Sequence, residues 1–329
     1  MTDVAKVAGV SYQTVSRVLH DSPHVRRNTR ERVLSAIRQL DYHPNSVAQA
    51  LVTGRSRTLG VVGFDTTLYG PASTLFGIEE AAHAADYAIS IVSLKSLNRN
   101  LVLEGVERLR RQGVDGIVVM APRKSALNAL LHLPAAVPIV AVEAGPDDTV
   151  PVVAVDQFGG ATAATRHLLD LGHRTVWHIA GPSGWLEAEQ RLDGWRSTLQ
   201  AAGAHVPAPL RGDWGARSGY EAGQRLVTIP GVTAVFVAND QMALGLLSFL
   251  HEVGRQAPDD LSIVGFDDIP EAAYFTPPLT TVRQDFAEVG RRCLHMLLTR
   301  IESRAPAASR VVIPTELVVR GSTRNVSPR

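Results

Sequence analysis

Residues Asp3 to His20 read DVAKVAGVSYQTVSRVLH. Two helical patterns flank a tight turn at Gly9, and Ser11 is placed to cap the second helix by accepting one of its orphan backbone N–H groups. At about 100° per residue, Tyr12, Gln13, Ser16, Arg17 and His20 fall within an arc of roughly 140°, with Val15, Val18 and Leu19 opposite. The second helix therefore has one face to bury and one to offer. The offered amide, guanidinium, hydroxyl and phenol are the groups that read base edges. Taken alone, the pattern also fits an ordinary helical hairpin with a solvated face.

The flanking sequence extends this unit. A third helix is expected from Asn28, where Asn28 and Glu31 have capping-box spacing, to about Leu40, with Val33, Ala36, Ile37 and Leu40 on its inner face. His24, Arg26 and Thr29 fall on the connecting loop and helix start, where they can hold phosphates or merely face solvent. Pro44 ends the headpiece, and Asn45 to Thr53, capped by Asn45 and closed by Gly54, reads as one short helix. Its nine residues fall below the roughly 12 to 15 at which an isolated helix becomes marginal in water.

Charge is divided unevenly. The whole chain of 329 residues carries only +1, yet residues 1–58 hold nine basic against four acidic side chains, a net +5 that leaves −4 for the remainder. The N-terminal piece is thus the part that seeks an anion. A composition of 45% hydrophobic and 20% charged residues is ordinary for a globular chain. No secretory h-region is present and no apolar run reaches the roughly 18 residues of a spanning helix, so the cytoplasm is the expected compartment, with no membrane partner. Cys293 stands alone and excludes both an intrachain disulfide and a cysteine metal cluster, leaving a small buried apolar residue as its expected role.

The segments DVAKVAGVSYQTVSRV, HVRRNTRERV and HPNSVAQAL resemble, in order and spacing, the DNA-binding headpiece of the lac repressor family of bacterial transcription regulators, and the likeness continues through the whole chain. It implies a helix-turn-helix headpiece over 1–44, a hinge helix and linker over 45–57, and a ligand-binding and dimerisation core over 58–329. In that arrangement Tyr12, Gln13, Ser16 and Arg17 face the major groove of a near-palindromic double-stranded operator while His24, Arg26 and Thr29 hold its backbone. The hinge would pair with its twin in a homodimer and enter the minor groove, with Leu51 as an apolar wedge, Val47 and Ala48 as helix-pair or groove contacts and Asn45 among the DNA-binding residues. The opening Met1-Thr2-Asp3 is shorter than the family's usual start.

From Leu59 onward short apolar runs alternate with helical stretches. LGVVGF, AISIVSL, DGIVVM, PIVAVEA, VVAVD, TVWHIAG, AVFVAN and LSIVGFD read as buried strands, and Gly77 to Ala85 and Ala161 to Leu171 as amphipathic helices between them. The alternation predicts an α/β core of parallel sheets, and about 270 residues suit two doubly wound subdomains better than one. The resemblance implies a periplasmic-binding-protein-like pair crossed three times, near Val155, Gln284 and Thr315. The N-subdomain would then span about 58–155 and 284–314, and the C-subdomain about 156–283 and 315–329.

Open α/β sheets bind ligands beyond the carboxyl ends of their strands. Those ends carry Asp65 and the loop Leu68 to Pro71, Asp156, Trp214 in the GDW loop, Asn239 and Asp240, and Asp267 and Asp268, with Arg191 on a helix and Gln284 and Phe286 at a crossing. Carboxylates, amides and a guanidinium pair with ring hydroxyls, and an aromatic face covers the apolar side of a pyranose. Structural roles stay open for each: Asn239 or Asp240 as a helix cap, Arg191 paired with Glu187, Trp214 in the core alongside Trp177, Trp185 and Trp195, and Asp268 bracing its loop.

RLDGW, GDWGARSGYEAG, VFVANDQMALG and VGFDDIPEAAYFTPPLTTVRQDF are similar to a galactoside-responsive member of the family. That likeness implies Arg191, Trp214, Asn239, Asp267, Gln284 and Phe286 as galactoside contacts, with Leu68, Gly70 and Pro71 on the aglycone side. DQFGG, at Asp156 to Gly160, is one residue longer than its counterpart, and Gly159 or Gly160 falls where an acidic sugar contact is expected. Asp156 is the candidate replacement, and the sugar stays open. The chain ends after LVVRGSTRNVSPR without apolar heptads, for which a dimer rather than a tetramer is expected.

An enzyme is not expected. There is no GxxxxGK[ST], no strand opening into GxGxxG and no Gly-x-Ser-x-Gly elbow. Asp267 and Asp268 are adjacent on one loop and would not straddle a glycosidic bond. A transport sugar-binding protein would lack the basic headpiece. The expected function is a sequence-specific DNA-binding regulator without a cofactor, a repressor released by a galactoside-like sugar, with a different sugar or a co-repressor ligand as the alternative.

Overall fold

The structure, a computed structural model, describes residues 1–19, 22–42, 54–94, 98–123, 126, 129, 137–143, 150–303 and 310–326. It divides into two units, Met1–Arg57 and Thr58–Arg329. In the first, α1 (Thr2–Ala8) turns at Gly9 into α2 (Tyr12–Leu19), and α3 (Arg27–Gln39) follows. Gly9 adopts the left-handed φ of 61° that a side chain disfavours, and the Ser11 hydroxyl accepts the Thr14 N–H at 3.2 Å. Val4, Ala8, Val15, Val18, Val33 and Ala36 close a small core.

α3 departs from the expected limits. It starts at Arg27, with Arg26 as a cap that makes no side-chain bond, so Asn28 lies inside the first turn and Glu31 accepts from Arg27 Nε at 2.9 Å instead of closing a capping box. Leu40 lies past the helix end and is 40% exposed, so it does not join the core. The short helix expected over Asn45 to Thr53 lies outside the described residues, and with it Asn45, Ala48 and Leu51.

The second unit holds two six-stranded sheets. The first comprises β1 (Thr58–Phe64), β2 (Ala88–Leu94), β3 (Gly116–Met120), β4 (Ile139–Val142), β5 (Val152–Val155) and β11 (Arg310–Ile313), in the order β11-β5-β4-β3-β1-β2, all parallel. The second comprises β6 (Trp177–Ala180), β7 (Leu210–Arg211), β8 (Ala234–Val237), β9 (Ser262–Asp267), β10 (Thr280–Gln284) and β12 (Thr315–Val318), in the order β12-β10-β9-β8-β6-β7. Only β12 runs antiparallel, against β10. The chain passes between the sheets after β5, after β10 and between β11 and β12.

Both faces of each sheet are covered, which is why these strands read as apolar runs rather than alternations. In β3, Ile117 and Val119 join one core while Val118 and Met120 join the opposite one. In β9, Ile263 and Val264 divide the same way. Each such side chain contributes about 1.5 to 3 kcal/mol by burial. Four strands went unread in the sequence: β7 is two residues long, and β10, β11 and β12 carry arginine, glutamine, threonine or glutamate among their apolar residues.

Helices bring the remaining pieces to the carboxyl ends of the strands. α4 (Tyr69–Ala84) starts eight residues before the expected Gly77, so Leu68 is its cap and Gly70 and Pro71 belong to its first turn rather than a loop. Proline is tolerated there because N–H groups of the first turn have no intrahelical acceptor. α5 (Arg99–Arg111) covers the other face of the first sheet. α6 (Gln157–Asp170), α7 (Leu186–Ala201), α8 (Ala216–Leu226) and α9 (Asp240–Glu252) flank the second sheet, and α10 (Phe286–Ser303) returns to the first.

Candidate functional site

In the headpiece, the period of α2 turns Val15 and Val18 inward and leaves Tyr12, Gln13 and Arg17 exposed and Ser16 half-buried. His24 and Arg26 are exposed and Thr29 is half-buried at the start of α3. These side chains stand on a unit whose core holds the helix at its back.

In the core unit, a cavity of about 270 Å³ opens between the two sheets' carboxyl ends. Of the residues singled out in the sequence, Leu68, Gly70, Pro71, Arg191, Trp214, Asn239 and Asp267 line it. Gln284 and Phe286 line an adjoining smaller cavity of about 40 Å³ that shares Gly70, Pro71 and Arg191.

Asp156 lines neither, contrary to the role considered for it. Its carboxylate accepts the Gly159 N–H at 2.8 Å as the cap of α6, and Gln157 beside it, which lines neither cavity either, holds Arg191 and Gln284 by hydrogen bonds. Nor can Gly159 or Gly160 supply the missing acid: a Cβ on the first would meet the Asp156 carboxylate at 2.1 Å, and on the second Thr315 and the Phe266 ring within 2.9 Å.

Arg191 is the hub. Its Nε donates to Gln157 Oε1 at 2.8 Å, its Nη1 donates to the Ala238 carbonyl, and Nη2 lies 3.4 Å from Asp267 Oδ1. Gln157 in turn donates to Gln284 at 2.9 Å, and Gln284 donates to Asp267 at 2.6 Å. The guanidinium stacks 3.8 Å from the Phe266 ring centroid and 5.5 Å from that of Trp214. Its ion pair is therefore with Asp267, not with Glu187 as the helical spacing allowed. Burial pushes the Asp267 carboxyl up to about 6, while Arg191 and Gln284 pull it down.

Trp214 forms one wall. Gly181 makes room for it, since a Cβ there would meet the indole at 2.3 Å, and Asn239 Nδ2 donates to its carbonyl at 3.0 Å. Asn239 also caps α9, accepting the Met242 N–H at 3.1 Å, while it lines the cavity. Trp185 belongs to the core as expected and also lines the cavity, edge-on to Trp214 at 5.8 Å and with the Arg123 guanidinium 5.8 Å from its centroid. Trp195, by contrast, is wholly buried, donating to the Val176 carbonyl.

Glu143 and Glu187 were missed as site residues. Both line the smaller cavity, and Glu187 the larger one too. Glu143 follows β4, so the strand-end rule could have found it. Asp240 and Asp268 serve the scaffold: Asp240 accepts from Ile269 N–H and Thr281, and Asp268 pairs with Arg283 and Arg320, each at 2.7 Å. Among the described residues no group of acids, histidines and cysteines could hold a metal ion, and no helix is long and apolar enough to cross a membrane.

Known proteins align with both units. Residues 1–45 match the profile of the bacterial regulatory proteins of the lacI family, and residues 165–323 that of a periplasmic binding protein-like domain. The chain is similar to the HTH-type transcriptional repressor PurR of Haemophilus influenzae, 34% identical over 98% of each chain, and to the lactose operon repressor of Escherichia coli K12, 32% identical over 99% of this chain and 92% of that one. Its fold is similar to the crystal structure of the lac repressor dimer bound to operator and the anti-inducer ONPF, with a TM-score of 0.86 and 32% identity over 98% of each chain. The named relatives are repressors rather than enzymes, and with this identity along its whole length the chain belongs to the lacI family of bacterial regulatory proteins, as a DNA-binding transcriptional repressor.

Proposed function

We propose that this repressor binds a near-palindromic double-stranded operator as a cytoplasmic homodimer and is released from it when a galactoside-like sugar fills the cavity of the core. Tyr12, Gln13, Ser16 and Arg17 read bases, His24, Arg26 and Thr29 hold phosphates, and Asn45, Ala48 and Leu51 enter the minor groove. Arg191, Asp267, Asn239 and Gln284 take the sugar hydroxyls, Trp214 covers the ring, Phe286 closes the inner end, and Leu68, Gly70 and Pro71 receive the aglycone.

The observation that carries this reading is the Arg191–Asp267 pair beside the Trp214 face in one cavity, the combination of charged donor, charged acceptor and apolar wall that suits a pyranose. Titration calorimetry against a panel of galactosides, with mobility shift on a palindromic DNA library before and after sugar, tests it. Binding of a galactoside and loss of the shifted band are expected. A second reading, a different sugar or a co-repressor, is favoured by Asp156 capping a helix outside the cavity lining and by identity to PurR repressors as high as to lactose operon repressors. A ligand that strengthens the shifted band would select it.

A further inference from the structure

The smaller cavity has an acid on each side. Glu143 follows β4 of the first sheet, and Glu187 stands in the first turn of α7 beside the second. Neither has an ion pair among the described residues. Glu143 accepts the Val155 N–H at 2.8 Å, and Glu187 has no hydrogen bond to another described residue. The cation that shares their cavity, Arg191, is committed to Asp267, Gln157 and the Ala238 carbonyl. Three carboxyl groups therefore face one guanidinium.

An independent observation lies in the adjoining cavity, which Glu187 also lines. Trp214 is only 7% exposed, and its Nε1–H has no acceptor among the described residues. A buried donor without a partner costs free energy that a ligand oxygen would recover. The cavities together ask for an acceptor near Trp214 and for donors with positive charge between Glu143 and Glu187.

We infer that the effector is an amine-bearing polyol: an ammonium sits between the Glu143 and Glu187 carboxylates while a ring hydroxyl accepts from the Trp214 indole. This rests on the sugar reading above and narrows it. An ammonium offers three donors and a charge, and hydrogen bonds to ionised partners are about twice as strong as neutral ones. A neutral hydroxyl offers one donor and leaves two desolvated acids to repel each other. Burial pushes Glu143 up to about 7, against the Val155 N–H, Arg191 and a Gln157 hydrogen bond, and burial followed by the charge of Glu143 pushes Glu187 up to about 8, against Arg191. Asp267 also raises Glu187, and Arg310 lowers Glu143.

The test is calorimetry on the full chain with galactose, its 2-amino and 6-amino analogues, and the N-acetylated 2-amino sugar. At least one amine should bind about 10-fold or more tightly than galactose, and acetylation of the 2-amine should remove any preference it shows. Glu187→Gln and Glu143→Gln should each collapse the amine-to-galactose ratio toward one. Galactose binding as well as either amine, or a ratio that survives both substitutions, overturns the inference and leaves the sugar reading standing. Absence of binding by every sugar overturns both.

Discussion

Trp214 holds a left-handed φ of 76° at the end of the GDW turn, a conformation kept by the hydrogen bond to its carbonyl and by the space left at Gly181. Covering a sugar ring is the use proposed above for this placement. Trp214→Ala should weaken sugar binding roughly 10- to 150-fold, the burial energy of one large side chain, as measured by calorimetry. Unchanged affinity would remove Trp214 from the site. His178 offers a test of stability against pH. It is wholly buried between Trp195 and Phe236, and burial lowers its pKa to about 3 from 6.5 although its Nδ1 bonds the Phe236 carbonyl. The unfolded chain therefore binds this proton first as pH falls, so stability is full above about 6.5 and declines toward 3 by about 1.4 kcal/mol per unit. Urea unfolding at pH 7 and 4.5 should show this decline, and His178→Phe should flatten it by about 2 to 3 kcal/mol.

Two elements carry separate predictions. On α2, Gln13 and Arg17 are exposed on a helix whose back is locked by Val15 and Val18, so truncating either should leave the headpiece folded. Gln13→Ala or Arg17→Ala should cost about 1 to 3 kcal/mol on the cognate operator and relax preference at one or two base positions, with little change on random DNA. Equal losses on both DNAs would reassign them to the phosphate backbone. In the core, α4 and α10 meet at glycines. A Cβ on Gly290 would lie 2.1 Å from the Gly77 backbone, and one on Gly77 would lie 2.4 Å from the Phe286 carbonyl. Gly290→Ala should thus force the helices apart at a cost of about 1 to 3 kcal/mol in thermal unfolding. It should also weaken sugar binding, because α4 brings Gly70 and Pro71 to the cavity and α10 brings Phe286. Gly70→Ala, where a Cβ meets open space, is the stability control.

At the scale of the molecule, the proposed release of operator by a sugar is a coupling between two sites and must be reciprocal. A coupling of about 1 to 3 kcal/mol would weaken operator binding roughly 5- to 150-fold when sugar saturates, and saturating operator would weaken sugar by the same factor. Sugar titrations with and without operator measure it. Identical sugar affinities in the two titrations would rule out release through the cavity.

The amino-acid sequence by itself determined what local periodicity and composition control. The turn at Gly9, the Ser11 cap and the inward Val15 and Val18 follow from neighbours a few residues apart, and the division of charge at residue 58 is a matter of counting. Strands covered on both faces, such as GIVVM, declare themselves as unbroken apolar runs. Tertiary structure decided which strand ends meet. Glu143 follows a strand of the first sheet and Glu187 stands on a helix beside the second, so they share a cavity only because the chain crosses between those sheets, and Arg191 pairs with Asp267 rather than nearby Glu187 because β9 delivers that carboxylate beside it. Asp156 and Gln157 are adjacent in sequence, yet the start of α6 turns the first into a cap and sets the second against Arg191 and Gln284. The edge strands β7, β11 and β12 are short and partly exposed, so hydrogen bonds to a distant neighbour, rather than their own residues, make them strands.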